Sequence, residues 1–431
     1  MPQAMNALAD TPALARVAPT ARTRPVADIM LSVHRDFAAI EPDWRRFEQD
    51  ADATAFQSFG WLAAWHRHIG APRGVRPAIV TARDGDGRLL LLLPLAVEPG
   101  LVRRLTFLGS DLSDYNAPLL APDFATHMSR ERFLALWGEI RALLRHQDDL
   151  RHDIVELAKM PETVGAQANP LLALEVGLNP SGAHLAHLGA AWDAYYEGRR
   201  SSATRRRDRT KRKKLGEYGT VCMVEPSDAD DAAATFETLI AQKSRLFARM
   251  GVANMFARPG WKDFYLDLAT NPDTHHLVHV SRLEVGGAVA AVNLGLTFRD
   301  TYYYILASYD DGELSRFGPG AAHLRDLMKR AIERGLRHFD FTIGDERYKH
   351  EWADVSMALY DHTAAASLRG APFVVATVAF RQLKRTIKQT PMLWRMFGLV
   401  RAAMGPLLGR RKSDDDGAAA RGTTAPPIAP D

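Results

Sequence analysis

Thr301–Lys349 reads TYYYILASYDDGELSRFGPGAAHLRDLMKRAIERGLRHFDFTIGDERYK, and this stretch decides the fold. Tyr302, Tyr303, Tyr304, Ile305 and Leu306 are aromatic and aliphatic residues that suit a buried strand. A polar loop over Asp310–Ser315 follows, and then Gly318 and Gly320 bracket Pro319. Proline is preorganised for a first helical turn, where no backbone donor is needed. Ala321, Leu324, Leu327, Met328, Ala331 and Ile332 recur at helical spacing, and Gly335 supplies a stop. Phe339, Phe341 and Ile343 then alternate with His338, Asp340 and Thr342, which is strand periodicity. A helix opening on Gly-Pro-Gly offers free N–H groups and a positive dipole end to a phosphate. The same spacing also fits a βαβ unit whose glycines only make a tight turn.

Gly318-Pro319-Gly320, the helix behind it, and Phe339 through Lys349 resemble the GNAT superfamily. Gly344-Asp345-Glu346-Arg347-Tyr348-Lys349, with Trp352 close behind, is similar to its CelD-like branch, also called BioF-like, linked to cellulose and other exopolysaccharides. The resemblance extends to the first half through Phe56-Gln57-Ser58 with Trp61 and Trp65, and through Leu105–Gly109 leading to Asp114-Tyr115-Asn116. Fem-type aminoacyl transferases share the tandem plan. The family pattern carries Arg or Gln three residues before the first motif glycine; here Ser315 stands there, with Arg316 beside it.

The resemblance implies an α/β protein of two tandem GNAT-like domains, each a mixed, mostly antiparallel sheet flanked by helices. It implies transfer of an acyl group, acetyl first among them, from acyl-CoA to an amine or hydroxyl acceptor in exopolysaccharide or envelope metabolism. The acceptor is then a saccharide, an amino sugar or a lipid-linked precursor, and no metal is needed. Ser308, Arg316, Phe317, Gly318, Gly320 and Ala321 are expected at the donor, and Lys349, Asp114 and Tyr115 at the acceptor. Glu346 is the first choice for general base and Asp345 the second, with Tyr348 as proton donor to the leaving thiolate. The thioester would lie where Thr301–Ser308 and His338–Ile343 splay apart. The alternatives are a Fem-type transferase using aminoacyl-tRNA, and a non-catalytic assembly protein of a polysaccharide synthase.

A chain of 431 residues exceeds what one core usually organises, and its 46% hydrophobic content is that of a globular protein. We expect an extension over 1–28, a first domain over 29–180, a second over 181–375, a basic amphipathic segment over 376–409 and a disordered tail over 410–431. The extension lacks a hydrophobic segment of the secretory kind, and no apolar run reaches membrane-spanning length, so a cytoplasmic protein is expected. The single cysteine, Cys222, excludes an internal disulfide and reads as a packed residue in Val221–Val224. The histidines lack metal-like spacing.

Helices are expected at Pro42–Ala51, Gly60–His68, Ser129–Arg145, Trp192–Leu215, Asp231–Phe247 and Trp261–Ala269. Strands are expected at Ala78–Arg83, Arg88–Ala96, Arg104–Leu108, Asp153–Leu157, Leu277–Leu283 and Ala288–Phe298, with Pro161–Ser181 as the crossover between halves. Arg199–Lys214 holds ten Lys or Arg and one acid, Asp208. It fits a solvated helix face or the binding of a phosphate-bearing partner. Nucleic acid ranks last, because no aromatics interleave the run and the net charge is only +4. Lys384, Arg385, Lys388, Arg395 and Arg401, amid Trp394 and Phe397, fit either a helix packed on the second domain or peripheral contact with an anionic membrane.

Overall fold

The computed structural model describes residues 28–389 apart from Ser110 and Asp345, with backbone only from Arg381 to Gln389. The tail expected over 410–431 lies outside the described residues, as do nearly all of the extension and the segment beyond Gln389.

The first half runs β1 (Met30–His34), α1 (Phe37–Asp50), α2 (Phe59–Trp65), β2 (Arg76–Arg83), β3 (Leu89–Glu98), β4 (Arg104–Phe107), α3 (Arg130–Arg145), β5 (Ile154–Pro161) and β6 (Val176–Leu178). The second opens with β7 (Ala183–His187), α4 (Trp192–Arg199), α5 (Ser202–Gly216), β8 (Val221–Val224), α6 (Ala229–Arg249) and α7 (Trp261–Thr270). It continues through β9 (Val278–Val285), β10 (Ala288–Phe298), β11 (Thr301–Tyr309), α8 (Pro319–Glu333), β12 (His338–Ile343) and α9 (Arg347–Trp352). Then come β13 (Val355–Met357), β14 (Leu359–Ala365) and α10 (Ala371–Gln389).

The strands form two sheets of like plan. One has the order β1-β2-β3-β4-β5-β14-β6, with Leu119–Leu120 added beside β3; the other has the order β8-β9-β10-β11-β12-β7-β13. Within each of these orders every neighbour is antiparallel except one central parallel pair, β4 with β5 and β11 with β12. This is the tandem α/β architecture expected. The expected boundary at 180/181 misses an exchange, however. Residues 359–365 follow the second domain in sequence but pair in the first sheet as β14, between β5 and β6. Strand partners are chosen by long-range packing, which local periodicity does not encode.

Local chemistry explains the elements. Leu89–Leu95 is buried on both faces because its side chains enter two cores, Leu89 and Leu92 one, Leu91 and Leu93 the other. Asp84 Oδ1 accepts from the N–H groups of Asp86 and Arg88 and closes the turn between β2 and β3. The helix expected as one piece over Trp192–Leu215 breaks at Arg200, because Ser201 caps α5: its hydroxyl accepts from the Thr204 N–H at 3.2 Å. Cys222 is exposed rather than packed; β8 is an edge strand and alternate residues point outward. The expected crossover omits β7, which pairs with β12 inside the second sheet.

An aromatic core joins the halves. Trp61 and Phe56 of the first meet Phe264 and Tyr303 of the second at centroid separations of 4.9 and 5.8 Å. Edge-to-face contacts of this kind add to the area they bury.

Candidate active site

β11 and β12 pair at only three positions: Thr301 with His338, Tyr302 with Phe339 and Tyr303 with Asp340. Beyond them the strands part. On the β10 side, Leu294 opposes Leu306 while Gly295 opposes Tyr304, so Ile305 is an extra residue that bends β11. On the other strand Thr342 has φ 59°, a left-handed conformation that a β-branched residue adopts only under constraint. The Thr342 N–H donates to Asp340 Oδ1 at 2.7 Å and fixes this kink.

The mouth of the gap is the start of α8. Gly318 stands there in the left-handed conformation, φ 66°, with Pro319 as first helical residue and no side-chain cap. The first turn therefore keeps its N–H groups for a ligand. Arg316 is exposed beside it, stacked 4.8 Å over the Phe317 ring and donating to Tyr218 and Glu313. Ala321 is exposed on the same turn. Lys211 of α5 approaches as well: a methyl group at Gly318 would lie 3.8 Å from its Nζ. Ser308 is buried and donates its hydroxyl to Gln242 Oε1 at 2.7 Å.

At the inner end, Glu346 and Lys349 are both buried, with Oε2 and Nζ 3.0 Å apart. Lys349 also donates to the Ile343 carbonyl at 2.8 Å. This pair sits on the start of α9 rather than in a loop, and Gly344 makes room for it. At φ 135° a Cβ there would fall 2.9 Å from Lys349 Nζ and closer still to Glu346 Oε2. Tyr348, on the same helix, is half-buried among Tyr304 and Phe341, and burial pushes its phenol well above the usual value. Asp345 lies outside the described residues.

The first half completes the cluster. The Tyr115 hydroxyl donates to Asp340 Oδ1 at 2.7 Å across the domain boundary. Burial pushes the Asp340 carboxyl up to about 7, against that hydrogen bond. Burial, then Asp340, pushes the Tyr115 phenol well above its usual value. Asp114 is half-buried, hydrogen-bonded to Thr342 and in the field of Lys159, Lys349 and Glu346; its carboxyl is raised by burial. Asp114, Tyr115, Glu346 and Lys349, far apart in sequence, thus share one site.

Lys243 escaped the sequence reading. It is 8% exposed, and burial lowers its ammonium to about 8, with Glu346 and Lys349 as the charges acting on it. Leu239, Lys243 and Phe247 follow one another at i, i+4 and i+8 on α6, so a lysine stands in the buried stripe. That spacing was the available signal. Lys159, also with positive φ at 58°, was missed too; its Nζ donates to the Ser113 carbonyl.

Residues 202–350 match the family described as acetyltransferase (GNAT) domain. No curated protein sequence matches the chain. Among solved structures, FemX is similar with a TM-score of 0.54 at 11% identity, covering 81% of this chain and 99% of its own. L-PGS from Bacillus licheniformis gives 0.46 at 11% identity, covering 78% and 95%. A tandem GNAT protein from the clavulanic acid biosynthesis pathway gives 0.41 at 13%, covering 79% and 99%. Residues 202–350 are thus similar to a GNAT acetyltransferase domain, and the likeness to FemX concerns the fold. No group of three or more metal-ligating side chains occurs among the described residues, and no described helix is long and apolar enough to cross a membrane.

Proposed function

We propose that the protein transfers an acyl group, acetyl first among candidates, from acyl-CoA to an amine or hydroxyl acceptor. The observation that carries this reading is the parting of β11 from β12, with an uncapped helix start at its mouth and Glu346 beside Lys349 at its inner end. The donor's pyrophosphate would lie on Gly318–Ala321, with Arg316 and Lys211 supplying positive charge. The acceptor nitrogen or oxygen attacks the thioester carbon, Glu346 takes its proton, the C–S bond breaks, and Tyr348 returns a proton to the thiolate. Asp114 and Tyr115 would orient the acceptor from the first half. The CelD-like motif supports an exopolysaccharide or envelope acceptor and a cytoplasmic setting. The exposed Phe373, Val375 and Phe380 of α10 support peripheral membrane contact.

A second reading, the Fem-type aminoacyl transferase, draws on α5, whose Arg206, Arg207, Arg209 and Lys213 are exposed and without ion pairs among the described residues. Calorimetric titration with acetyl-CoA, longer acyl-CoAs and charged tRNA separates the two. Gly318→Val should abolish acyl-CoA binding. Glu346→Gln should spare binding and lower turnover by about 10²-fold. Binding of no acyl-CoA would end the main reading; binding without turnover on any acceptor would favour the assembly-protein alternative.

A further inference from the structure

Three lysines gather at the inner end of the gap, and two of them have acceptors. Lys349 reaches Glu346 and the Ile343 carbonyl, and Lys159 reaches the Ser113 carbonyl. Lys243 has neither a hydrogen bond nor an ion pair among the described residues; its ammonium lies over the Phe247 ring, 5.6 Å from the centroid. A largely buried ammonium without a protein acceptor is costly, so burial alone is a poor reason for a fold to keep one. Its position suggests what satisfies it. The preceding residue, Gln242, accepts from Ser308 of β11 and donates to the Val289 carbonyl of β10. Gln242 thereby ties this part of α6 to the length of β11 that β12 has left, and Glu346 and Lys349 are the charges acting on Lys243.

We propose that Lys243 is the cation that receives the negative charge developing on the acyl carbonyl oxygen during transfer. This role rests on the acyl-transfer reading. It deepens that reading by supplying a side-chain donor to the tetrahedral intermediate, in a largely buried position where such a donor counts most. As the acceptor attacks, the carbonyl π pair moves onto oxygen beside the ammonium. When the C–S bond breaks, the pair returns to the carbonyl, and Lys243 keeps its protons throughout. Glu346 and Lys349 are the charged groups acting on it, the first favouring and the second opposing its charge. The contribution is present while Lys243 is protonated and fades as pH rises through about 8.

The test compares wild type with Lys243→Met and Lys243→Arg, using acetyl-CoA and the longer acyl-CoAs as donors. Turnover by Lys243→Met should fall by about 10²-fold with donor affinity unchanged. Lys243→Arg should restore part of it and should not lose activity above pH 8, as wild type does. Removing an unsatisfied charge should also raise the melting temperature of Lys243→Met at pH 7. That gain should shrink above pH about 8, where the folded wild type sheds the proton. Unchanged turnover in Lys243→Met would overturn the proposal. So would a rate that rises through pH 8 in wild type only, which marks a base, or a lower melting temperature, which marks a structural lysine. Wild type inactive with every acyl-CoA would instead defeat the acyl-transfer reading, and this role with it.

Discussion

The two halves build the same parallel joint and use it differently. In the first, β4 and β5 pair at Arg104–Ile154 and Leu105–Val155 and then part, as β11 and β12 do. There the chain after β4 turns back into its own gap. The Asn116 N–H donates to the Lys159 carbonyl, Asn116 Nδ2 to the Ala158 carbonyl, and Lys159 Nζ to the Ser113 carbonyl. In the second half the chain after β11 leaves by an exposed loop and returns through Gly318 as α8. The plug of the first half is not wasted: its Asp114 and Tyr115 reach Thr342 and Asp340 of the second. The first half thereby contributes side chains to the cluster beside the second half's parallel joint.

The largest effect should come from breaking the joint between the halves. Trp61 is fully buried, packs on Phe264 at 4.9 Å and donates to Ser113 Oγ at 3.2 Å. Trp61→Ala should cost about 3–5 kcal/mol in urea unfolding while preserving a single transition. Two transitions in wild type would refute a shared core. Next, Gly344→Ala strikes only the open gap. Its positive φ and the collision with Glu346 and Lys349 should cost roughly 1–3 kcal/mol and most of the turnover, measured together by melting and acyl transfer. A fully active variant would detach that pair from the chemistry.

The smallest effect concerns the bond between plug and gap. The folded-state carboxyl of Asp340 is raised to about 7 from an ordinary 3.8, so the native protein binds more protons than the unfolded chain between these values. Stability from this group is therefore greatest at acidic pH and is lost as pH rises through about 7. Asp340→Asn keeps an acceptor for Tyr115 and should flatten that slope in denaturant titrations at pH 5 to 8. An unaltered slope would assign it to other groups, Asp114 among them, whose carboxyl is raised in the same sense.

Much of this was legible in residues. Pro319 after Gly318 announces a helix start, and the alternation of Phe339, Phe341 and Ile343 announces a strand, because both signals are local. Glu346 and Lys349 were readable as a pair, being three apart, though not as the start of a helix. Lys243 was not read, because a single lysine in a long helix looks like a solvated position unless its apolar neighbours are counted. The kinks at Lys159 and Thr342 had no signal, since neither residue type favours positive φ.

The sequence by itself determined many of the helices and strands and the Gly-Pro-Gly turn, through periodicity, capping and the conformational limits of single residues. Tertiary structure alone decided that β14 returns to the first sheet and that Asp114 and Tyr115 meet Asp340, Thr342 and Glu346. Those contacts join residues far apart in the sequence. They form because each sheet satisfies its edge and each half buries its aromatic face against the other, a condition on the whole chain rather than on any segment of it.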